Sequence, residues 1–572
     1  MKAKILSCAL LLLFLSCTKK EKPWNQALET ETLADDLTII YSSNVVGELE
    51  PCGCIRNPVG GIVRKAQFFE NLEKEKKAHL LYFDTGDLFF KSVQVQGFLE
   101  NQWKVQAEIL METYSTLPVT AITVGEKDFA LGRDFLMEGL QKYHIPVVSS
   151  NIIDSLSGKP LFQEYKIEEW NGHKIGVFAL SDPEYFTSLP QTLIITIQDP
   201  TSVAKKMLQF FRKNKIDHVI LLSHLGLAQD VRLALNISGI DIIISGHSED
   251  LLRDVRKVKN TLIVQAGHQG HYVGQFDLSL GKDMKKFKHK IVPLDTTLEP
   301  GPEKTRELMK RFKNFLQKEV HGESSSLLHK NSTGYETSSY CIQCHQKQAK
   351  VWQNSHHASA FLPLFIKDQH NNKECITCHT VGFQQAGGFG DLRLATLKKG
   401  KGIDQAKMVD AMILHKGDLK KTLRELIDKK IDEFNKLIKK NEGQAFKSFY
   451  EIQIGALNKI KNQKSLRGTH ISFFDNREIY NYLKSLYSQA LDREKPDKNY
   501  WGVQCEHCHG ARRGHPFERS DFPKKVNTDS CLVCHNNNHS PRFDVKSFNL
   551  VQGRDKAGKF DFICAQGKPG KL

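Results

Sequence analysis

The sequence predicts an α/β layered domain followed by a mostly helical region built around a repeated cysteine–histidine motif. Between about Leu37 and Leu294, short apolar segments alternate with amphipathic ones, as in layered α/β domains. After about Thr337, the frame Cys-x-x-Cys-His occurs four times. At 572 residues the chain is also long for a single hydrophobic core, so we expect at least two domains.

The first 16 residues are typical of a signal peptide. Lys2 and Lys4 precede an apolar run that is too short to span a membrane. The small residue before Cys17, after a leucine-rich stretch, resembles the lipobox of bacterial lipoproteins, although Phe14 stands where Leu is usual. The resemblance implies a lipid on Cys17, a tether over residues 17–36 and a membrane-anchored protein facing the periplasm or the exterior. Cleavage as an ordinary signal peptide is the alternative.

The composition indicates a basic protein. The formal net charge is +16, which favours acidic redox partners or anionic lipid. No nucleic-acid-binding motif occurs, and export also argues against a nucleic-acid partner.

Apolar segments of strand length recur through the first unit. We predict helices at Gly61–Lys74 and Pro200–Lys213. In α/β folds the functional side chains lie in the loops that follow the strands, and these loops carry Gly86-Asp87, Ser223-His224 and Gly246-His247. The predicted strands are Leu37–Ser42, His79–Asp84, Ala121–Val124, Ile145–Ser149, Ile175–Leu180, His218–Ser223, Asp241–Ser245 and Leu262–Ala266.

The order of the loop motifs resembles that of the calcineurin-like metallophosphoesterases, in particular the periplasmic 5'-nucleotidase branch. The resemblance covers nearly all of residues 37–294 and implies a metallophosphoesterase-like layered α/β sandwich. The motifs that carry it are Gly60–Arg64, Asp84-Thr85-Gly86-Asp87, Ser149-Ser150-Asn151, Leu222–Gly226, Ser245-Gly246-His247 and Val264–Gly267.

The sequence departs from that family at several ligand positions. The Asp-x-His pair after the first strand is represented by Asn44 and Val46. The Gly-Asn-His-Glu motif aligns with Gly125–Asp128, which places Glu126 at a ligand position and Lys127 at that of the catalytic histidine. The Gly-His-x-His motif aligns with Gly246–Glu249, so Glu249 replaces the last ligand.

These departures remove most ligands of one metal ion and leave those of the other. By the resemblance, the remaining set is Asp87, Glu126, His224 and His247, which could hold one divalent ion through mixed nitrogen and oxygen ligands. A two-metal clamp for phosphoryl displacement is therefore not expected.

The loop Glu50-Pro51-Cys52-Gly53-Cys54 carries two thiols where the lost ligands would lie. An extended backbone places the Cα atoms of Cys52 and Cys54 about 6.5 to 7 Å apart, which is poor geometry for a mutual disulfide. One hypothesis makes them soft ligands for zinc or copper. The alternatives are disulfides elsewhere, including one with Cys564, or free thiols.

Residues 295–336 are predicted as a linker with a charged helix, Glu299–Lys318, and the repeated motif follows. Cys-x-x-Cys-His is the signature of c-type haem attachment, in which two thiols form thioethers and the histidine binds the iron. Zinc sites also use Cys-x-x-Cys pairs, but zinc does not explain a histidine after every pair. The motif residues, which predict four haem c groups, are Cys341, Cys344, His345, Cys375, Cys378, His379, Cys505, Cys508, His509, Cys531, Cys534 and His535.

The region 337–572 resembles the cytochrome c-554-type tetrahaem family. Flanking residues carry this resemblance: Trp352 and Ser355–Ala358 after the first motif, Thr380–Phe383 after the second, Gly502–Gln504 before the third with Gly510 after it, and Ser540-Pro541 after the fourth. It implies a mostly α, haem-packed domain with His357, His515 and His539 as distal ligands. His356 is a rival to His357. One of the four haems is left without an obvious distal histidine; His370, His470 and His507 are the candidates for it, and a five-coordinate, open iron is the alternative.

Residues 390–498 form an insertion that is longer than this family usually has. Asp418–Lys440 shows an apolar stripe against a lysine-rich face, and Glu478–Leu491 is a second predicted helix. We interpret the insertion as a solvated helical segment packed over the haems. A basic docking surface for a partner is the alternative.

Together these observations predict an exported multihaem c-type cytochrome lipoprotein that transfers electrons at the cell envelope, fused to a degenerate metallophosphoesterase-like domain. Its expected partner is a redox protein or a quinol-linked donor. Two alternatives remain open. One is a metal-dependent phosphoesterase or 5'-nucleotidase-type hydrolase with accessory haems. The other is a haem- or metal-based oxidoreductase that acts on a small sulfur or nitrogen species.

Overall fold

The computed structural model describes residues 36–51, 58–75, 79–279, 287–322, 335–353, 355–366, 369–383, 417–440, 501–511 and 529–535, with scattered positions between 447 and 484. Several predictions concern residues outside this set: the signal peptide with Cys17, the tether before Asp36, Cys52, Cys54, Cys564, His470, His515, His539 and, apart from one position, the helix Glu478–Leu491.

Two β-sheets form the centre of the N-terminal unit. One has the strand order β13-β12-β1-β2-β3 and the other β10-β11-β9-β8-β6-β5, while β4 and β7 form a separate pair. The strands are β1 Asp36–Ser42, β2 His79–Thr85, β3 Val119–Thr123, β4 Ile152–Asp154, β5 Tyr165–Trp170, β6 His173–Ser181, β7 Ile195–Ile197, β8 His218–His224, β9 Ile242–Ser245, β10 Arg256–Val258, β11 Thr261–Val264, β12 Tyr272–Ser279 and β13 Phe287–Pro293.

Helices cover the outer face of each sheet, so the unit has four layers. Helices α1 (Ile62–Glu75), α2 (Glu100–Tyr114) and α3 (Arg133–Lys142) pack with the first sheet. Helices α4 (Pro200–Lys213) and α5 (Leu227–Asn236) pack with the second. A third apolar cluster fills the space between the sheets. The predicted layered sandwich is confirmed for this unit.

The central strands are largely apolar because both of their faces are buried. In β1, Leu37 and Ile39 belong to the cluster between the sheets, whereas Ile40 belongs to the cluster under the helices. In β8, Leu222 lies between the sheets and Leu221 lies under the helices. Successive side chains of a strand point to opposite faces, so a doubly covered sheet needs an unbroken apolar run.

Seven of the eight predicted strands and both predicted helices are present, with ends shifted by a few residues at most. The predicted strand Ile145–Ser149 is wrong, because this segment makes only isolated bridges, from Val147 to Ile122 and from Val148 to Gln163. Pro146 has no N–H to give to a ladder. The next amides then bond across the fold, since Ser150 N donates to Ala179 O.

A long helix, α6 (Glu303–Gly322), follows the second sheet and packs on α1 and α2. Short helices come next: α7 (Ser338–Ile342), α8 (Gln346–Gln353), α9 (Leu362–Ile366) and α10 (Lys373–His379). Further helices span Gly417–Lys440, Cys505–His509 and Asp529–Leu532. Gly417–Lys440 matches the helix that the sequence predicts in the insertion.

Helix α10, which carries the second Cys-x-x-Cys-His motif, contacts the N-terminal unit. Glu374 accepts hydrogen bonds from Lys91 Nζ at 2.7 Å and from Trp103 Nε1 at 2.5 Å. Gln102 Nε2 donates to Asn372 Oδ1 at 2.9 Å, just before this helix begins. Lys373 is almost fully buried, and its ammonium lies 3.5 Å from Glu319 in α6.

A buried polar network underlies the carboxyl ends of β1 and β2. The ammonium of Lys65 donates to Tyr114 OH at 2.8 Å, Ser42 Oγ at 3.1 Å and Tyr82 OH at 3.2 Å. Asp84 accepts from Ser42 and Tyr114. Burial lowers the pKa of Lys65 to about 8, although the negative charge of Asp84 acts to raise it. The ammonium and the carboxylate depend on each other because neither reaches water.

We expect Lys65→Met to destabilise the N-terminal unit by about 3 kcal/mol or more, since it leaves Asp84 buried without a counter-charge. Urea unfolding measures this effect. Lys206→Met is the matched control, because Lys206 is 68% exposed in its ion pair with Glu164 and such pairs contribute about 1 kcal/mol or less. Equal stability of the two variants would contradict the role given to the network.

Candidate metal centre and cysteine–histidine motifs

Four predicted ligands converge at the carboxyl ends of the central strands. Asp87 follows β2, Glu126 follows β3, His224 ends β8 and His247 follows β9. Each residue offers one ligand atom, and the four atoms lie within 4.8 Å of one another. Asp87, Glu126 and His224 are buried, and His247 is partly exposed. Two imidazoles and two carboxylates form a donor set that suits a single divalent metal ion.

Backbone conformation and a missing side chain make this convergence feasible. Asp87 and His247 have positive φ angles of 51° and 65°, a region that non-glycine residues rarely adopt outside tight turns and functional sites. A Cβ atom on Gly125 would lie 2.3 Å from Asp87 Oδ1 and 2.4 Å from His224 Nε2. Position 125 therefore requires glycine for space rather than for its φ angle.

A backbone carbonyl fixes the orientation of His224. Its Nδ1 lies 2.7 Å from Thr85 O, which can only accept, so Nδ1 carries the proton. This leaves Nε2 facing Glu126 Oε2 at 3.1 Å and Asp87 Oδ1 at 3.5 Å. Metal-binding histidines commonly donate their other N–H to a carbonyl or carboxylate in this way.

The ring of Tyr185, which no sequence motif indicates, packs on His247. Tyr185 stacks on the imidazole with 3.4 Å between ring centroids, and Tyr185 OH donates to Leu225 O. His247 Nδ1 lies 3.6 Å from Glu126 Oε2. Tyr185 follows β6 and belongs to none of the motifs, so only its tertiary position reveals its role.

The titratable groups of the cluster shift one another. Burial lowers the pKa of His224, but the charges of Asp87 and Glu126 outweigh it and raise the value to about 9. Burial raises the pKa of Glu126, but hydrogen bonds to His224 and His247 outweigh it and hold the pKa well below its usual range. The carboxylates thus attract positive charge, which a metal ion or a proton could supply.

The positions where the family keeps its other metal ligands have different contacts here. Asn44 Oδ1 accepts a hydrogen bond from His247 N at 2.9 Å. Val46 is a buried apolar residue, and Glu249 is exposed. All three have positive φ angles, between 48° and 59°. The loops keep positive φ angles at all three positions, although Val46 offers no ligand atom and Asn44 Oδ1 already accepts a hydrogen bond.

The four Cys-x-x-Cys-His motifs lie on short helical turns, and none of their eight cysteines forms a disulfide. The motifs lie close together, and the helix Cys505–His509 packs against both Ser338–Ile342 and Asp529–Leu532. The thiol of Cys341 interacts with that of Cys505, and the thiol of Cys378 interacts with that of Cys534. The first motif therefore lies beside the third, and the second beside the fourth.

Several histidines gather between these motifs. The rings of His357 and His535 have centroids 6.1 Å apart, whereas His356 is exposed. Burial, with His357 and His379 nearby, lowers the pKa of His507 to about 4, so this ring is neutral near pH 7. Its Nδ1 accepts a hydrogen bond from Gln504 N. His370 is also buried.

Comparisons with known proteins match the N-terminal unit and a part of the region that carries the Cys-x-x-Cys-His motifs. The trifunctional nucleotide phosphoesterase of Bacillus subtilis is 25% identical over 323 residues, which cover 49% of this chain and 21% of that protein. The 2',3'-cyclic-nucleotide 2'-phosphodiesterase/3'-nucleotidase of Yersinia enterocolitica is 26% identical over 262 residues, which cover 40% of each chain. The chain thus spans two fifths or less of the length of these relatives.

Among solved structures, the 5'-nucleotidase precursor of Thermus thermophilus matches with 22% identity and a TM-score of 0.44, over 50% of this chain and 59% of that one. The sequence of the N-terminal unit matches members of the 5'-nucleotidase and calcineurin-like phosphoesterase family. A family model described as cytochrome c554 and c-prime matches residues 340–402, which include the first two motifs. Over the part of the chain that the structure describes, no helix is long and apolar enough to cross a membrane.

We expect Gly125→Ala to lower the affinity for a divalent metal ion by about 100-fold or more, because the added methyl group would displace Asp87 and His224. Isothermal titration with Mn²⁺ measures this change. Gly132→Ala is a poor control because its φ is positive, whereas Gly97→Ala meets open space without that constraint. Unchanged Mn²⁺ binding in Gly125→Ala would show that the ion does not lie between these ligands.

Proposed function

We propose that this chain is an exported multihaem c-type cytochrome that transfers electrons at the cell envelope, joined to a phosphoesterase-fold unit with a one-metal centre. The proposal for the C-terminal region depends on one observation. Four thiol pairs, each followed by histidine, lie close together, and a further histidine, His357, lies beside His535 of the fourth motif.

The donor set fits haem c. Each motif presents two thiols and an imidazole from one helical turn, which is what covalent attachment and proximal ligation require. His357 and His535, whose ring centroids are 6.1 Å apart, would be the two histidines that hold one of the haem irons. Haem c supplies a reversible one-electron couple when bound, and these residues hold and orient it.

The surroundings of the proposed haems suit electron transfer to a charged partner. The net charge of +16 favours an acidic redox protein, and a lipid on Cys17 would hold the protein close to a quinol-linked donor at the membrane. His515 and His539, proposed as further distal ligands, would complete the coordination of two other haems.

The haem-loaded protein tests this proposal directly. We expect four haem c per chain and reversible reduction. We expect His357→Ala to contain one more high-spin, carbon-monoxide-binding haem per chain than the wild type, because a distal imidazole is lost. Absorption and electron paramagnetic resonance spectra before and after carbon monoxide measure this difference.

The neighbouring histidine is the matched control. His356→Ala should keep the wild-type spectrum, since His356 is exposed and His357 is the residue beside His535. The opposite result would exchange the two assignments. Carbon-monoxide binding by the wild-type protein would indicate an open iron and favour the alternative function, an oxidoreductase acting on a small sulfur or nitrogen species.

A second function, metal-dependent phosphoester hydrolysis, is favoured by the convergence of Asp87, Glu126, His224 and His247. The relatives that match this unit are named as nucleotide phosphoesterases, so nucleotides are the substrates to test. A bound ion would polarise the phosphoryl oxygens, while His224 and His247 would position it.

If the centre hydrolyses nucleotides, phosphate release from 5'-AMP should require added Mn²⁺ and fall by roughly 100-fold or more in His224→Ala. Phosphate release is measured with purified full-length protein. Cys505→Ser, which alters a haem motif only, should retain the activity. Release that survives in His224→Ala would point to a contaminating phosphatase.

A further inference from the structure

Lys127 lies against the candidate metal centre as a second positive charge. Its Nζ is 2.6 Å from Asp87 Oδ2 and 4.0 Å from Glu126 Oε1. Its backbone N–H donates to the other oxygen of the same carboxylate, Asp87 Oδ1, at 3.2 Å. Lys127 therefore contacts both oxygens of the Asp87 carboxylate, which is fully buried.

The ligand atoms that the Lys127 ammonium does not occupy are enough to bind one metal ion. Asp87 Oδ1, Glu126 Oε2 and His224 Nε2 all face a common point, with His247 beside them. The second oxygen of Asp87 is taken by Lys127. A metal ion on that side would have to displace the ammonium, and Val46, which aligns with a ligand of the family's other metal, offers no ligand atom.

The charges balance with one divalent ion. Asp87, Glu126 and Glu249 bring three negative charges, and all three act on Lys127. The ammonium together with one divalent ion neutralises them, whereas two divalent ions with the ammonium would leave an excess of positive charge. The Asp128 carboxylate is engaged elsewhere, because it accepts hydrogen bonds from the backbone N–H groups of Leu88, Phe89 and Gly125.

We propose that Lys127 is a built-in cation that takes the place of a second metal ion, so that the centre binds one divalent ion per chain and binds it more weakly than the carboxylates alone would. The inference rests on the proposed metal centre. It assigns to Lys127 a counter-charge role, in which the side chain holds Asp87 in place and repels the bound ion at short range.

Metal binding and metal-free stability test the two halves of this role in full-length protein. We expect the wild type to bind one Mn²⁺ per chain in isothermal titration. Lys127→Met should bind its first Mn²⁺ at least about tenfold more tightly, because a neighbouring positive charge is gone. Without metal, the same variant should unfold about 5 °C or more below the wild type, because Asp87 loses its partner. Added Mn²⁺ should recover most of this loss.

Two controls separate charge from side-chain shape. Lys127→Arg retains the charge and should bind Mn²⁺ within about threefold of the wild type. Lys206→Met removes a surface lysine and should change neither Mn²⁺ affinity nor melting temperature. Two Mn²⁺ per wild-type chain, or equal affinity in Lys127→Met and the wild type, would overturn the inference.

Failure of the metal centre itself gives a different result. If neither the wild type nor Lys127→Met binds Mn²⁺, then the proposed centre is wrong and the inference falls with it. If only Lys127→Met binds, then the ammonium occupies the position of the ion itself, and Lys127 replaces the metal completely. That result would overturn the stoichiometry of one ion per chain.

Discussion

The parallel pairing of the central strands is the constraint on which the candidate centre depends. β1, β2 and β3 run parallel in one sheet, and β6, β8 and β9 run parallel in the other. Their carboxyl ends therefore meet at one edge of the sandwich, where loops from both sheets face each other. Asp87 and Glu126 come from one sheet and His224 and His247 from the other, so the cluster exists only while the two sheets remain packed.

Buried charge accounts for the arrangement around that edge. Asp87 has no exposure, and burying a carboxylate alone would cost several kcal/mol. Lys127 and His224 approach it within 3.5 Å and provide the compensating positive charge. In the network beneath Asp87, Lys65 compensates the buried Asp84 in the same way, and hydroxyl groups act as additional hydrogen-bond donors. The same end of β2 thus carries two buried carboxylates, each of which needs a partner from another element.

Local pattern predicted the strands well because a doubly covered sheet demands continuous apolar runs, and motif order predicted the four clustered ligands. The features that the sequence did not predict correctly depend on tertiary contacts. Ile145–Ser149 has a strand-like composition, but Pro146 and bonds to distant carbonyls divert it. In the sequence, Lys127 indicated only that the family's catalytic histidine is replaced. Its pairing with Asp87 could not be predicted, because it requires the loops after β2 and β3 to be neighbours. Tyr185 had no motif at all.

The contact between α10 and the N-terminal unit follows the same rule as the metal centre. A buried charge there needs an opposite charge from another element. Asp87 and Lys91 lie on one short loop after β2. Lys91 binds Glu48 at 2.9 Å and Glu374 at 2.7 Å, and Glu374 directly precedes Cys375. Lys373, with 2% side-chain exposure, pairs with Glu319 on α6. Separating α10 from the sandwich would leave these charges without partners, so the second cysteine–histidine motif is positioned by the N-terminal unit as well as by its own helix.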